Sequence, residues 1–191
     1  MAARKKQKKA KHVAARVAAR VAKRPAKRVK AAPKPAARKV AKKAVRAPAR
    51  RGARGAAAAD SLKAERARLE RNKKLVIAFY QKMIGEKDPE AARRYMGETY
   101  RQHSAYAKDG YEGVAEFARG FKAAFPNHRY EIKKVIAEGE FVVLHLHGTS
   151  GMYPNGEQVV DMFRVVDDKV VEHWDVIQEI PATADNPNGT F

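Results

Sequence analysis

The chain has 191 residues and a formal net charge of +20, from 41 lysine and arginine residues against 21 aspartate and glutamate residues. It contains no cysteine, which excludes a disulfide framework and a thiolate metal site. No apolar run approaches the roughly 20 residues that span a bilayer, so we expect no membrane segment. Residues 1–59 hold 22 of the basic residues and no acidic residue, so the remainder is close to neutral.

Residues 1–59 are built almost entirely from alanine, valine, lysine and arginine, with four prolines and no aromatic residue. Such a segment cannot bury enough apolar surface to offset its ordering entropy, so the sequence predicts a disordered basic tail. The repeat V-A-A-R over His12–Arg24 predicts a helix that forms when phosphates neutralise its charge, and Pro25 would end it.

The composition of this tail resembles the Lys/Ala/Pro-rich tails of linker histones and bacterial histone-like proteins. The resemblance implies sequence-independent binding to the nucleic-acid backbone, driven by counterion release. A solubilising tail and an organellar transit peptide remain alternatives. We expect a cytoplasmic or nucleoid-associated protein. The residues predicted to contact nucleic acid are Arg16, Arg20, Lys23, Arg24, Lys27 and Arg28.

Three helices are predicted after the tail. Asp60 and Ser61 suit an N-cap, and apolar residues at helical spacing predict a helix over Leu62–Ile84. Asp88 followed by proline predicts a second helix over Pro89–Tyr95. The segment Tyr100–Gly110 is expected to be irregular or at most a brief strand. Phenylalanines at helical spacing then predict a third helix over Glu112–Ala124.

The apolar period then changes from 3.6 to 2, which indicates strands. Helices followed by strands predict an α+β domain over residues 60–180, with the helices packed on one face of a curved antiparallel sheet. Residues 181–191 contain Pro, Asn and Gly and are expected to be loosely held. The predicted strands are Tyr130–Glu138, Phe141–Thr149, Glu157–Val166 and Lys169–Ile180.

The last two strands form a hairpin that carries the densest group of potentially chemical side chains. A two-residue turn at Asp167-Asp168 would pair Asp161 with Trp174. A three-residue loop would instead pair Asp161 with Asp175, Phe163 with His173, and Arg164 with Glu172 on the other face. We favour the second register, because it separates a surface ion pair from a cluster of inward-facing groups.

The order of elements and several local motifs resemble the SnoaL-like branch of the NTF2-like superfamily, which includes the polyketide cyclases. The matching motifs are NKKLVIAFYQKMI, YRQHSAY, VIAEGEFVVLHLHGT and VVDMFRVVDDKVVEHWDVIQ. The resemblance implies a cone-shaped α+β fold around a hydrophobic pocket, frequently as a homodimer. It also implies acid/base residues in that pocket, with no metal or organic cofactor.

Within this resemblance, Asp175 lies where polyketide cyclases have an acid/base aspartate. Asp161 lies where some have a histidine, and His103 matches a pocket histidine. These three are the predicted catalytic residues, and Tyr80 is a candidate donor to an oxyanion. A carboxylate in an apolar pocket has a raised pKa and suits general acid–base catalysis. The predicted pocket-lining residues are Tyr80, Phe163, His173 and Trp174.

Two functions follow from these residues. The first is an enzyme: a cofactor-independent cyclase, isomerase or aldol-type catalyst acting on a small apolar carbonyl compound. The second is a non-catalytic module that binds a ligand or dimerises and is tethered to DNA by its tail, with Asp161 as a satisfied core carboxylate. His145 and His147 share one strand face, but no firm third ligand accompanies them, so we expect no metal.

Overall fold

The computed structural model describes residues 51–191. Helix α1 spans Arg51–Tyr80 and continues directly into a π-helical turn at Gln81–Gly85. Helix α2 covers Pro89–Ala92 and is followed by a 3₁₀ turn at Arg93–Tyr95. Helix α3 spans Gly110–Ala124.

The predicted start of the first helix at Leu62 is wrong, because residues 51–59 already belong to α1. Asp60 therefore lies inside the helix and does not cap it. Alanine has the highest helix propensity, and the run Ala56–Ala59 gives the chain no reason to break before the amphipathic part. The rest of the predicted tail, with the repeat at His12–Arg24 and the proposed nucleic-acid contacts, lies outside the described residues.

Five strands form one sheet in the order β1-β5-β4-β3-β2. The four strands predicted in the last third are present, but the sheet is mixed, because β1 runs parallel to β5. The sequence predicted an irregular segment or at most a brief strand over Tyr100–Gly110, whereas this edge strand begins earlier, at Met96, and does not alternate regularly. The strands are β1 Met96–Gln102, β2 Arg129–Glu138, β3 Phe141–Thr149, β4 Glu157–Val166 and β5 Lys169–Glu179.

The core lies between the helices and the inner face of this sheet. Val76, Phe79 and Met83 on the buried side of α1 and its π-helical turn are at most 2% exposed. They pack in one cluster with apolar residues that alternate along β3 and β4, such as Leu144 and Phe163. Each large side chain buried in this way contributes about 1.5–3 kcal/mol.

The register favoured from the sequence is confirmed: Asp161 pairs with Asp175, Phe163 with His173, and Arg164 with Glu172. The turn that produces it differs from the expected three-residue loop. Asp167 and Asp168 both have positive φ, 48° and 55°, as in the two-residue turns that match strand twist. The register then shifts by one residue beyond Arg164, because Val171 is left as a bulge.

The segment after β5 has no regular secondary structure, yet its end contacts the outer face of the sheet. The ring of Phe191 lies 4.7 Å from the ring of His147 and 5.3 Å from that of His145, measured between centroids. The two strand histidines are therefore packed by an aromatic ring. No group of three or more histidine and carboxylate side chains within residues 51–191 could hold a metal ion.

Candidate functional site

A cavity of about 50 Å³ lies between the inner face of the sheet and the helices. Its wall is mostly apolar and aromatic, and its ionisable members are Asp161, His173 and three tyrosines. The lining residues are Phe79, Tyr80, Met83, Ile84, Tyr100, Val114, Phe117, Tyr130, Val159, Asp161, Phe163, His173 and Ile177.

The end of α1 forms one wall of the cavity. Tyr80 is the last residue of α1, and Met83 and Ile84 lie on the π-helical turn that follows. The wider turn is closed by the amide of Glu86, which donates to the carbonyl of Gln81 at 2.7 Å. Such turns are frequently found at functional sites, because they redirect side chains that a regular helix would place elsewhere.

Asp161 and His173 form a buried ion pair on the opposite wall. His173 Nε2 lies 2.9 Å from Asp161 Oδ1, and His173 Nδ1 lies 2.7 Å from Gln102 Oε1. The amide of Ser104 donates to the same Gln102 oxygen, which identifies it as an acceptor. Both ring nitrogens of His173 thus meet acceptors, and only the imidazolium form donates to both.

Asp175 lies on the same inner face, between His173 and Ile177, although it is not part of the cavity wall itself. Ser104 Oγ donates to Asp175 Oδ2 at 2.7 Å. Burial raises the pKa of Asp175 above its usual value, against the opposing effects of Ser104 and His173. A carboxyl with a raised pKa can hold or release a proton closer to neutral pH, as general acid–base catalysis requires.

Three buried tyrosines surround these carboxylates as neutral donors. Burial is the largest cause of the raised pKa of Tyr80, Tyr100 and Tyr130, and the negative charges of the site add to it. Asp161 is among the negative charges that raise the pKa of Tyr80. An oxygen that develops negative charge in the cavity would therefore meet hydroxyl hydrogens.

His103 and Trp174 do not lie in the cavity, contrary to the sequence prediction. Their rings stack at 4.8 Å on the outer face, and His103 Nε2 lies 2.9 Å from Glu172 Oε1. The reason is the alternation of strands: Gln102 directs its side chain inward to His173, so the next residue points outward. Trp174 alternates with the inward-facing His173 and Asp175 in the same way.

The sequence prediction missed Gln102 and Ser104, which hold His173 and Asp175. It also missed a second buried ion pair, between His128 and Glu157, with 3.1 Å between Nε2 and Oε1. Glu157 lies four residues before Asp161, so the period of two in a strand could have placed both carboxylates on one face. His128 follows α3 in a loop, where no periodicity indicates its direction.

Three solved structures are similar to this chain. A protein from Jannaschia sp. CCS1, assigned as a SnoaL-like polyketide cyclase, superposes with a TM-score of 0.50 at 21% identity, covering 56% of this chain and 85% of that one. AclR from Streptomyces galilaeus, assigned as a hydroxylase, gives 0.49 at 22% identity, covering 58% and 90%. A protein from Kribbella flavida assigned as a ketosteroid isomerase gives 0.49 at 18% identity, covering 63% and 85%.

Among curated proteins, no sequence matches. No helix within the described part of the chain is long and apolar enough to cross a membrane. The family model for SnoaL-like polyketide cyclase matches residues 74–186, which include every strand of the sheet and the whole cavity wall. Since this match covers more than half of the chain, the protein belongs to the SnoaL-like polyketide cyclase family.

Proposed function

We propose that the domain is a cofactor-independent acid/base catalyst, a cyclase, isomerase or aldol-type enzyme, acting on a small apolar carbonyl compound. The observation that supports this most is the pairing of Asp161, in the cavity wall, with Asp175 on the adjacent strand. Asp161 is hydrogen-bonded to His173, whereas burial raises the pKa of Asp175. Environments that differ in this way are typical of acid/base pairs.

In this proposal Asp175 takes a proton from the carbon beside the carbonyl group of the ligand. The electron pair of the broken C–H bond moves into the carbonyl, and the enolate oxygen accepts a hydrogen bond from Tyr80. Asp175 then returns the proton to the product, so no external reactant is consumed. The Asp161–His173 pair, held by Gln102, keeps the polar wall fixed throughout.

The size of the cavity limits the ligand. At about 50 Å³ it is far smaller than the roughly 300–1,000 Å³ of sites for drug-sized ligands. A compound of a few heavy atoms therefore suits the site best. Its carbonyl oxygen would face Tyr80 and its acidic carbon would face the gap between His173 and Ile177, where Asp175 lies.

The direct test is turnover of a panel of small enolisable ketones and aldehydes, followed by exchange of the acidic C–H in heavy water. Asp175→Asn is expected to lower the rate by about 10²–10⁴-fold, the usual contribution of a general acid or base. Asp161→Asn should also lower it. His103→Ala is the matched control, because its ring stacks on Trp174 outside the cavity. Equal exchange by wild type and both aspartate variants would overturn the enzymatic proposal.

The tail favours a second function, a ligand-binding or dimerisation module tethered to DNA. Twenty-two basic residues and no acidic one within residues 1–59 suit phosphate binding, and such a tether would make the protein nucleoid-associated. The test is an electrophoretic shift with and without residues 1–50, a truncation that leaves α1 intact. Binding should weaken steeply with salt and vanish in the truncated chain. Binding that persists without the tail would contradict the tether.

A homodimer through the outer face of the sheet belongs to both proposals. Val176 on β5 is 69% exposed, and Ile136, Phe141 and Val160 add exposed apolar surface on the neighbouring strands. Apolar residues exposed together on one sheet face suit contact with a second copy. Val176→Lys is expected to shift the sedimentation velocity from dimer to monomer, and a monomeric wild type would rule the dimer out.

A further inference from the structure

The side chain of Gln102 connects the wall of the cavity to the segment that follows β1. Gln102 lies beside His173 in the parallel pairing of β1 with β5, and the amide of His103 donates to the carbonyl of His173 at 2.9 Å. Two nitrogens approach the side-chain oxygen of Gln102: the amide of Ser104 at 3.0 Å and His173 Nδ1 at 2.7 Å. The backbone of the sheet thus holds the glutamine next to the ring.

The amide of Ser104 decides which way the end of the glutamine side chain faces. A backbone N–H can only donate, so the atom of Gln102 that it meets is the carbonyl oxygen and not the amino group. That oxygen can only accept, so the hydrogen in its contact with His173 has to lie on Nδ1. A ring with no hydrogen on Nδ1 would set two lone pairs against each other at 2.7 Å.

The orientation of the His173 ring is fixed by its neighbours. The ring stacks on that of Phe163, with centroids 4.7 Å apart and planes at 24°, and the side chain is 12% exposed. Turning the ring over would replace both nitrogens by carbon atoms and would break the contacts to Gln102 and Asp161. One ring orientation therefore satisfies both neighbours.

With a hydrogen on Nδ1, the hydrogen that can change its place lies at the other ring nitrogen. Nε2 of His173 is 2.9 Å from Asp161 Oδ1, and a hydrogen bond of this length has one hydrogen between the two atoms. That hydrogen belongs either to Nε2, as in an imidazolium beside a carboxylate, or to Asp161, as in a carboxylic acid beside a neutral imidazole. Both residues line the cavity.

We propose that Gln102 is a positioning residue that sets the tautomer of His173. By keeping a hydrogen on Nδ1, it leaves the contact between Nε2 and Asp161 as the place where this pair gives or takes a proton. Without Gln102, a neutral ring would carry its one hydrogen on Nε2, directed at the carboxylate as the stronger acceptor. The value for turnover rests on the proposed function, in which the Asp161–His173 pair becomes a second acid/base group beside Asp175.

The test is nitrogen NMR of the full-length protein labelled with ¹⁵N-histidine, at neutral pH, because a ring nitrogen resonates far upfield when it carries a hydrogen. His173→Gln assigns the signals of His173 by their loss. In wild type, Nδ1 of His173 should carry a hydrogen. Gln102→Met keeps the length of the side chain but removes the acceptor, so Nδ1 should lose its hydrogen and Nε2 should keep one. Gln102→Glu still accepts from both donors and should restore the wild-type state of Nδ1.

Gln178→Met is the matched control, because Gln178 lies exposed on the outer face of the same strand as His173. This substitution should leave both ring nitrogens of His173 unchanged. A purely structural Gln102 would lower the melting temperature and leave the hydrogen on Nδ1 in Gln102→Met. That result, a wild type without this hydrogen, or a Gln102→Glu variant without it, overturns the proposal.

If Gln102→Met does not fold, wild type and Gln102→Glu decide. The hydrogen on Nδ1 should be present in both, and its proton resonance should move downfield in Gln102→Glu, because a carboxylate is a stronger acceptor than an amide. An absent or unmoved resonance would show that residue 102 is not the acceptor for Nδ1 and would overturn the proposal. No substrate enters the measurement, so its outcome is separate from any failure to find turnover.

Discussion

Strand β4 carries two carboxylates, each paired with a histidine, in different surroundings. Asp161 pairs with His173 at 2.9 Å, with side chains 7% and 12% exposed. Glu157 pairs with His128 at 3.1 Å, with side chains 1% and 0% exposed. The first pair lines the cavity, whereas glycines and aromatic rings enclose the second.

The two histidines also differ in how completely they are hydrogen-bonded. Both nitrogens of His173 meet acceptors, whereas Nδ1 of His128 has no partner among the described residues. The comparison teaches that the histidine at the cavity has an acceptor at each nitrogen, whereas the enclosed pair is packed tightly and accepts a hydrogen bond from Tyr130 through Glu157.

The largest expected effect is on stability, and it differs between the two pairs when the histidine of each is replaced by alanine. His128→Ala leaves the buried Glu157 with Tyr130 as a donor and empties the space of a fully buried ring, so we expect a loss of about 3–5 kcal/mol in the free energy of unfolding. His173→Ala leaves Asp161 facing the cavity, so we expect a loss of about 1–3 kcal/mol. Urea unfolding of both variants measures the difference. Equal losses would mean that the two pairs are buried alike.

A smaller effect on stability tests how tightly the backbone packs against the enclosed pair. Gly151→Ala places a methyl group 2.5 Å from His128 Cδ2, and overpacking of this kind costs about 1–3 kcal/mol. Gly120→Ala in α3 is the matched control, because nothing lies within 4 Å of its Cβ. The control should gain up to about 1 kcal/mol from helix propensity. Thermal unfolding of the two variants should therefore shift in opposite directions.

The pH dependence of stability tests the raised pKa of Asp175, which lies beside the cavity. Since burial raises the pKa of Asp175 in the folded protein, its contribution to stability is present in acid and is lost as the pH rises through that pKa. Asp175→Asn should therefore gain stability relative to wild type as the pH rises from about 4 to 7. A constant difference across this range would contradict a raised pKa in the folded state.

Asp109 serves as the control, because its contribution to stability changes with pH in the opposite direction to that of Asp175. Hydrogen bonds from the amides of Gln102 and Gly110 lower the pKa of Asp109, so its contribution is present at neutral pH and is lost as the pH falls through the folded value. Asp109→Asn should be less stable than wild type at neutral pH, and the difference should disappear in acid. Unfolding free energies of both variants at matched pH values check the two signs together.

The smallest effect concerns the turn that sets Asp161 opposite Asp175. Asp168 has a φ of 55°, a conformation that glycine adopts without steric cost. Asp168→Gly is expected to raise the unfolding free energy by up to about 1 kcal/mol, and Gly139→Ala, at a φ of 55° in the preceding hairpin, should lower it by a similar amount. The Asp168→Gly variant should be more stable than wild type, and the pKa of Asp175 should stay the same. That result would show that the bulge at Val171 preserves the register.

The sequence by itself determined the faces of the last hairpin. Strict alternation in β4 leaves Asp161 and Phe163 on one face, and an apolar core permits only one choice of which face is buried. The favoured register was right although the turn was not, because the bulge at Val171 adds the residue that was expected in the loop. Periodicity decides which side chains share a face, and it is a local property of the chain.

Only the tertiary structure decided what those faces meet. His103 turns outward because β1 joins the sheet parallel to β5 and sends Gln102 inward, and no local pattern specifies that pairing. His128 reaches Glu157 from a loop, and Ser104 reaches Asp175 from the residues after β1. Contacts between residues so distant along the chain depend on how whole elements pack, so the partners that tune each carboxylate were not readable from the order of residues.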